Sequence, residues 1–563
     1  MNLIKRVLLK QKFTPYIYIL ILVVFSNSFF AQKFNLKISP EKTNNRSVLE
    51  KIKFQKTHLD SISIYNEIDK ISTYLKNIGY FTNTIKYISR IDTTYMALVS
   101  LGEKTDKVII RNTSKNLLKL IDFTNENDSI ILPVSKLQFI LNAISKKLDS
   151  QGKSFSRVQL SNIELKDRVI FADLKIHQSK KRKIDKVLIK GYEQFPKSHI
   201  KHHFNIKKNT IFNTKKIEEI STSTKSLQFV KETKKPEVLF TKDSTIVYIY
   251  LKKQQNNSFD GLVNFTSKEK GGVLFNGHLD LKLNNILNAG ENFELFWNRI
   301  GEEKQEFNIS TEIPYVFNAP ITPWISFNLY KQDSTFLNTE FKTSMAYNVN
   351  SKTKIAATYS NLDSKNLQET LTSNAVEEFQ NSFFGLKFSY SIPKNDVFFN
   401  HKFFLAVHPT FGNRKSKGNS TNQFKVEFTA SYIWDLNRRN SIFIKNKTGH
   451  LTSDNFLDNE LYRIGGANSI RGYNEQSIYT NSFSAFHFEY RFLTSQTSYV
   501  YSITDIASVN ASSSNENLLG LGIGYLFRTK SSQINISTAV GKNSSNKFDF
   551  NTSKIIISWK NYF

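Results

Sequence analysis

The sequence predicts two fold classes in series: α+β repeats, followed by an all-β transmembrane barrel of antiparallel strands. Three observations carry this reading. A helical unit that stops at Gly79 is echoed by one that stops at Gly152, 73 residues later. At Phe259 the texture changes: helical periodicity disappears, and aromatic and Asn/Ser/Thr content rises. Within that second region, Phe486-His-Phe-Glu-Tyr-Arg-Phe492 places its aromatics on one face and His487, Glu489 and Arg491 on the other. That is the alternation of a strand between lipid and a polar lumen. A soluble sandwich would turn its aromatics inward.

The chain begins with Lys5, Arg6, Lys10 and Lys12, followed by an apolar run from Tyr16 to Phe25. The run is too short to span a bilayer as a helix. A basic stretch, an apolar stretch and then small residues read as a secretory signal peptide over residues 1-31. Cleavage after Ala31, or after Ser28 with Ser26 two places earlier, fits the small-residue requirement. At 563 residues the chain exceeds one ordinary domain. Its 39% hydrophobic content and mean hydropathy of −0.37 exclude a bundle of membrane helices. With no Cys there is no disulfide, no thiolate metal site and no lipidated N-terminal Cys.

The first region divides into three beads, at 37-103, 104-180 and 181-254. In the first, Tyr65, Ile68, Ile71, Leu75 and Ile78 share a helical face that Gly79 terminates. This bead lacks a clear opening strand. In the second, Leu137, Ile140, Leu141, Ile144 and Leu148 form the equivalent face, and a strand over Val169–Ile176 follows. The third opens with a strand over Ile184–Gly191, continues through helical Ile217 and Ile220, and closes on a strand over Thr245–Leu251. A repeated α+β unit of this size reads as tandem beads. Polar Lys252–Ser258 then joins the beads to the barrel at 259-563. At about 9–11 residues per membrane strand, plus turns, that length fits about sixteen strands. The last of them alternates Ile555, Ile557, Trp559, Asn561 and Phe563.

One segment stands out inside the barrel region: Leu461-Tyr-Arg-Ile-Gly-Gly-Ala-Asn-Ser-Ile-Arg-Gly-Tyr473. Gly465, Gly466 and Gly472 permit backbone angles that other residues resist. Arg471 offers a rigid fork of donors for a carboxylate. Together with the aromatic chain end, this segment resembles the BamA/TamA outer-membrane assembly-factor superfamily. There an Arg-Gly-Tyr/Phe tip on a long surface loop folds back into a sixteen-stranded barrel. The beads are similar to the POTRA domains that precede that barrel, and three of them match TamA-like members best.

The resemblance implies a loop latch made by Arg471, Gly472 and Tyr473, with acidic partners on the following strands. Glu489, in Phe488-Glu-Tyr-Arg-Phe492, matches one partner. Asp505, in Tyr501-Ser-Ile-Thr-Asp-Ile-Ala507, matches the other more loosely, since Ala507 stands where a glycine is expected. Simple alternation also places Asp505 on the face of Ile503 and Tyr501, which leaves open whether a bulge intervenes. Trp559 and Phe563 resemble a C-terminal assembly signal, from which Asn561 departs. The implied location is the outer membrane of a Gram-negative bacterium, with the beads in the periplasm. The implied activity is assembly, insertion or translocation of other proteins, without a cofactor. The implied partners are unfolded outer-membrane or secreted clients, outer-membrane lipid and an inner-membrane-anchored, periplasm-spanning protein. Strand addition to bead edges and a weakly paired seam between the first and last barrel strands would do the work.

Enzyme chemistry finds no support. The sequence has no phosphate loop of the right spacing, no His-Glu-x-x-His helix and no nucleophile elbow. Ser484 and His487 are the one local candidate for a phospholipase pair, and lumen lining explains His487 better. His199, His202 and His203 could hold a metal, but without a carboxylate or Cys partner a solvated helix face is the expectation. Between Lys180 and Lys208 there are ten Lys/Arg against two Asp/Glu. With an export signal in front, this basic stretch suits a solvated surface or anionic lipid, not nucleic acid. A two-partner secretion transporter exporting one cognate protein is the first rival. It would carry a plug helix near the N-terminus and two beads, and Gln32–Lys51 shows no helical apolar face. A passive porin barrel is the second rival, and the bead repeat counts against it.

Overall fold

The computed structural model describes residues 33–111, 129–267, 273–300, 304–368, 376–394, 396, 398–511, 514–544 and 548–563. The expected signal peptide lies outside them. The described residues fall into two compact units, divided after Lys181.

The first unit holds two modules. One runs β1 (Phe34–Pro40), α1 (Arg46–Glu50), β2 (Thr57–His58), α2 (Ser61–Asn77), β3 (Thr84–Ile91) and β4 (Thr94–Ser100). Its sheet order is β2-β1-β4-β3, with β1 parallel to β4. It does have an opening strand: Leu36 on β1 is buried against the α2 stripe of Ile64, Ile68, Ile71 and Leu75. Asp60 caps α2 by accepting from the Ser63 backbone N–H at 2.7 Å, a bond worth about 1 kcal/mol. The second module runs β5 (Lys107–Arg111), β6 (Ile130–Pro133), α3 (Val134–Ser150), β7 (Arg157–Lys166) and β8 (Val169–His177). Its order is β6-β5-β8-β7, with β5 parallel to β8. Gly79 ends α2 with φ +106°, and a Cβ there would lie 2.1 Å from the Thr105 carbonyl oxygen that precedes β5.

The second unit opens with β9 (Lys186–Lys190), α4 (Lys197–His202), α5 (Thr214–Thr224), β10 (Val230–Phe240) and β11 (Thr245–Lys253). Their sheet is ordered β10-β11-β9, with β11 parallel to β9. In each module the last strand therefore lies parallel to the first, and helices cover the same sheet.

From Ser258 the chain forms a closed barrel of sixteen antiparallel strands, as the pattern predicts. The first eight are β12 (Ser258–Ser267), β13 (Val273–Asn284), β14 (Asn292–Ile300), β15 (Lys304–Glu312), β16 (Ile321–Gln332), β17 (Phe336–Asn348), β18 (Thr353–Asn366) and β19 (Phe379–Pro393). Next come β20 (His401–Ser416), β21 (Asn419–Asp435) and β22 (Asn440–Thr452). The small hairpin β23 (Tyr462–Ile464) and β24 (Ile478–Thr480) stands apart from the barrel wall. The barrel closes with β25 (Ser482–Ser495), β26 (Ser498–Ala511), β27 (Ser514–Arg528), β28 (Ser532–Lys542) and β29 (Lys554–Tyr562). Large apolar side chains such as Phe384, Phe411, Trp434 and Tyr490 are exposed on the outer face, the distribution a lipid solvent requires.

Two features depart from a uniform wall. Among the described residues β12 and β29 pair only at Ser258↔Tyr562 and Phe259↔Asn561, whereas β28 and β29 pair from Ser532↔Asn561 to Ala539↔Lys554. The seam is thus far shorter than the ladders beside it. The inner face of β26 and its neighbours is also largely apolar: Tyr501, Ile503, Ala507 and Val509 are all buried there. A polar-lumen rule fails at this wall because the inside is filled by chain.

Candidate functional site

The filling is the long loop from Ser453 to Asn481, between β22 and β25. The buried Ile464 and Ile470 pack against Phe483, Ala485, Ala507, Val509 and Leu518 of the wall. This apolar contact holds the loop inside the barrel and accounts for Ala507 and Val509 on the inner face of β26, while Tyr501 and Ile503 pack with Leu526, Ala539, Phe398 and Phe399.

At the loop tip Arg471 meets both acidic residues singled out from the sequence. Its Nε donates to Asp505 Oδ2 at 2.8 Å, its Nη2 to Asp505 Oδ1 at 2.6 Å, and its Nη1 to Glu489 Oε1 at 2.7 Å. The Arg471 backbone N–H also donates to Asp505 Oδ2, at 3.0 Å. The contact to Asp505 is the bidentate, charge-assisted kind. The Asp505 side chain is 0% exposed and that of Arg471 11%, so water screens the pair little. No bulge places Asp505 there. It lies directly across from His487 in regular β25–β26 register, and simple alternation carries it inward.

Gly472 has φ +93°, and a Cβ on it would come within 2.6 Å of the β28 backbone at Val540 and Gly541. Gly520 on β27 serves from the other side: its Cβ would lie 2.1 Å from the Arg471 carbonyl oxygen. Tyr473 donates its hydroxyl to the Lys542 carbonyl at 2.6 Å. The Arg-Gly-Tyr tip is therefore bonded to β25 and β26 and seated on β27 through Arg471, seated on β28 through Gly472, and tied to β28 through Tyr473.

Two further members of the site escaped prediction. Arg491 donates from Nε to Glu489 Oε2 at 2.8 Å, so Glu489 bridges two guanidiniums. His487 donates from Nδ1 to Asp505 Oδ1 at 3.0 Å, which fixes its tautomer. The alternation of Phe486–Phe492 did put Arg491 on the face of Glu489, so the signal was available. Ser484 and His487 lie on opposite faces of β25, so no phospholipase pair forms. Among the described residues no group of three or more His, Cys, Asp or Glu could hold a metal ion.

The base of the loop has its own anchor on the opposite wall. Arg414 on β20 pairs with Glu460, with side-chain exposures of 3% and 1%. Glu460 also accepts from Gln423 Nε2 at 2.9 Å and from the Leu457 backbone N–H at 3.0 Å. Beside it, Asn459 donates to Ser364 Oγ at 2.6 Å and accepts from Asn338 at its backbone carbonyl. Arg463 lies 3.4 Å over the Tyr330 ring. No motif announces Arg414 and Glu460, which are 46 residues apart. Between this anchor and the β16–β19 wall lies an internal chamber of about 470 Å³, lined in part by Trp324, Lys387, Lys425 and Glu427.

The histidines of the third module are not a solvated face. His199 is 1% exposed and His203 8%. His203 Nδ1 is 3.1 Å from the Tyr315 hydroxyl, in the turn between β15 and β16. Its Nε2 donates to the Ser223 carbonyl at 2.9 Å. The His199 ring packs edge-on to Tyr315 at 4.8 Å and fills the space over Gly290, in the turn between β13 and β14. Tyr192 donates its hydroxyl to Asn288 of the same turn at 2.6 Å. Part of the basic stretch is thus a docking surface that joins the third module to the barrel. Burial lowers the His199 ring to about 3 and the His203 ring to about 4, so both sit neutral at pH 7.

At the other end of the chain, Ile555, Ile557, Trp559 and Phe563 are all exposed outward. Asn561 accepts from Ser532 Oγ at 2.7 Å and from Trp559 Nε1 at 3.1 Å.

No protein-family model matches the sequence, and no curated protein matches it. Solved structures do share its fold. CdiB from Acinetobacter baumannii aligns over 82% of this chain and 91% of its own, at 14% identity and a TM-score of 0.53. CdiB from Escherichia coli aligns over 93% and 99%, at 13% identity and a TM-score of 0.48. BamA from Haemophilus ducreyi lacking POTRA domains 1-3 aligns over 80% and 98%, at 13% identity and a TM-score of 0.43. The likeness to CdiB from Acinetobacter baumannii shows a shared fold.

Proposed function

We propose that this chain passes polypeptides into or across the outer membrane, with its three modules acting as POTRA domains in the periplasm. The observation that carries the reading is the loop that fills the lumen. It is held by discrete ion pairs, Arg471 with Asp505 and Glu489 at the tip and Arg414 with Glu460 at the base. Such a plug can be released without breaking the barrel wall.

Two routes fit. Export of a cognate protein through the lumen is favoured by the fold likeness to CdiB from Acinetobacter baumannii. Lateral insertion of outer-membrane proteins, which the sequence ranks first, is favoured by the two-residue seam between β12 and β29. We place export first, because the likeness spans 82% of the chain while the seam is one local feature. Clients would be unfolded secreted or outer-membrane proteins. Exposed sheet edges of the modules would receive them as added strands. Trp559 and Phe563 would carry the signal for assembly of the barrel itself.

The chain has no Cys, so an engineered pair gives a clean test. Ser258→Cys with Tyr562→Cys, directly opposed across the seam, should lock it on oxidation. Export through the lumen predicts that secretion continues in the locked barrel and that outer-membrane protein levels hold. Lateral insertion predicts that outer-membrane proteins fall on oxidation and recover with reductant. A barrel whose deletion alters neither is a structural or porin barrel.

A further inference from the structure

On the inner face of β22, next to the latch, stand two cations that the latch does not use. Lys445 lies directly across from His487 of β25, and Lys447 across from Ala485. Neither forms a hydrogen bond or an ion pair among the described residues. Arg471, Arg491, Lys445 and Lys447 thus share one wall with the carboxylates of Glu489 and Asp505. Lys445 is within electrostatic reach of Arg471, Lys447, Glu489 and Asp505.

The register shows which acid Lys445 can take. Phe443 is opposite Glu489, so Glu489 is the diagonal neighbour of Lys445, one inward position along the strand. Such neighbours lie about 7–8 Å apart, within reach of two long side chains. On its other side Lys445 faces Ser431 of β21. The acids of that strand, Glu427 opposite Gly449 and Asp435 opposite Ser441, each lie two inward positions away. They are engaged by Lys425 and Lys394. What keeps Lys445 off Glu489 is occupancy. Glu489 Oε1 accepts from Arg471 Nη1 at 2.7 Å, and Oε2 accepts from Arg491 Nε at 2.8 Å. Withdrawal of the loop tip opens Oε1 beside a lysine whose donors are unused.

We propose that Lys445 is a reserve cation for the latch: as the loop tip withdraws, it takes the place of Arg471 on Glu489. The exchange rests on the releasable plug proposed above. It lowers the cost of release, because a carboxylate that loses a buried partner otherwise bears the desolvation penalty alone. In the seated state the same lysine opposes Arg471, since the two are like charges on one wall. Lys445 therefore favours release twice, by repelling Arg471 before it and by pairing with Glu489 after it.

The test uses the full-length protein folded in detergent micelles. The first measurement is the thermal midpoint of heat-modifiable migration in a cycle of Lys445→Met and Arg471→Ala. With Arg471 present, Lys445→Met should hold or raise the midpoint. In the Arg471→Ala background the same change should lower it by about 2–4 °C, and Lys445→Arg should not. Lys447→Met, diagonal to Glu427 instead, should show no such reversal. The second measurement leaves Arg471 in place. Ile470→Cys puts a single buried thiol beside the tip of a chain that has no Cys, and its labelling by a maleimide reports release of the loop. Lys445→Met should slow that labelling about tenfold, the loss expected for one charged hydrogen bond. The same effect of Lys445→Met in both Arg471 backgrounds, or an unchanged labelling rate, would overturn the exchange and leave the releasable plug standing. A thiol at position 470 that labels only on unfolding would overturn the releasable plug, and the exchange with it.

Discussion

Arg471 is the residue on which the loop turns, because three carboxylate oxygens and no water-facing group receive its donors. Removing it leaves Asp505 and Glu489 inside the barrel with Arg491 and His487 as their remaining partners. Loss of one member of a buried pair costs about 3–5 kcal/mol. Arg471→Ala should therefore lower the thermal midpoint of heat-modifiable unfolding and expose the loop to protease. Arg471→Glu should be worse, since it places a third acid at the site. Combining it with Asp505→Arg should recover part of the loss. A coupling below about 0.5 kcal/mol in the double-mutant cycle would show that the two do not act together. At this scale the sequence was legible where a motif carried the residue. The family resemblance of their motifs singles out Arg471, Glu489 and Asp505, and the three meet in the fold. Arg414 and Glu460 were not, since a pair formed across the lumen leaves no spacing to read.

The elements show the same division. Strands of the barrel wall were legible because lipid enforces a period of two on their outer face. The inner face of β26 was not, because Ala507 and Val509 answer to Ile464 and Ile470 of a loop, and Tyr501 and Ile503 to Phe398 and Phe399 of a turn, not to the lumen. The helix α4 was read as solvated because its partner, Tyr315, lies 112 residues beyond His203. That docking has a pH signature. Both rings are neutral when docked, and their folded values of about 3 and about 4 lie below the ordinary value of 6.5. A lowered histidine contributes stability that is fully present above 6.5 and is lost as pH falls through the folded values. At pH 5 the shortfall is about 2 kcal/mol per histidine, at 1.36 kcal/mol per pH unit. The hydrogen-exchange protection of α4, relative to the intrinsic rate at each pH, should therefore fall between pH 7 and pH 5, and His203→Gln should flatten the response. An α4 equally protected at both values would mean that the docking does not depend on neutral imidazoles.

At the scale of the whole molecule, the succession of an α+β region and an all-β barrel was legible from periodicity, because helix, strand and turn each leave a local signature, while the count of sixteen strands came from length and the family resemblance. The proposed route of a client was not, because it depends on how firmly the plug and the seam hold relative to each other. The plug rests on two ion-pair anchors and an apolar contact, and the seam on two residue pairs. The most direct measurement is photocrosslinking in cells at two positions. One probe replaces Trp324, which lines the 470 Å³ chamber, and the other replaces Ile557, exposed on the outer face of β29 beside the seam. Passage through the lumen predicts polypeptide adducts at Trp324 that increase when Arg414→Ala frees the base of the loop. Adducts confined to Ile557, with none at Trp324 in either background, would contradict it.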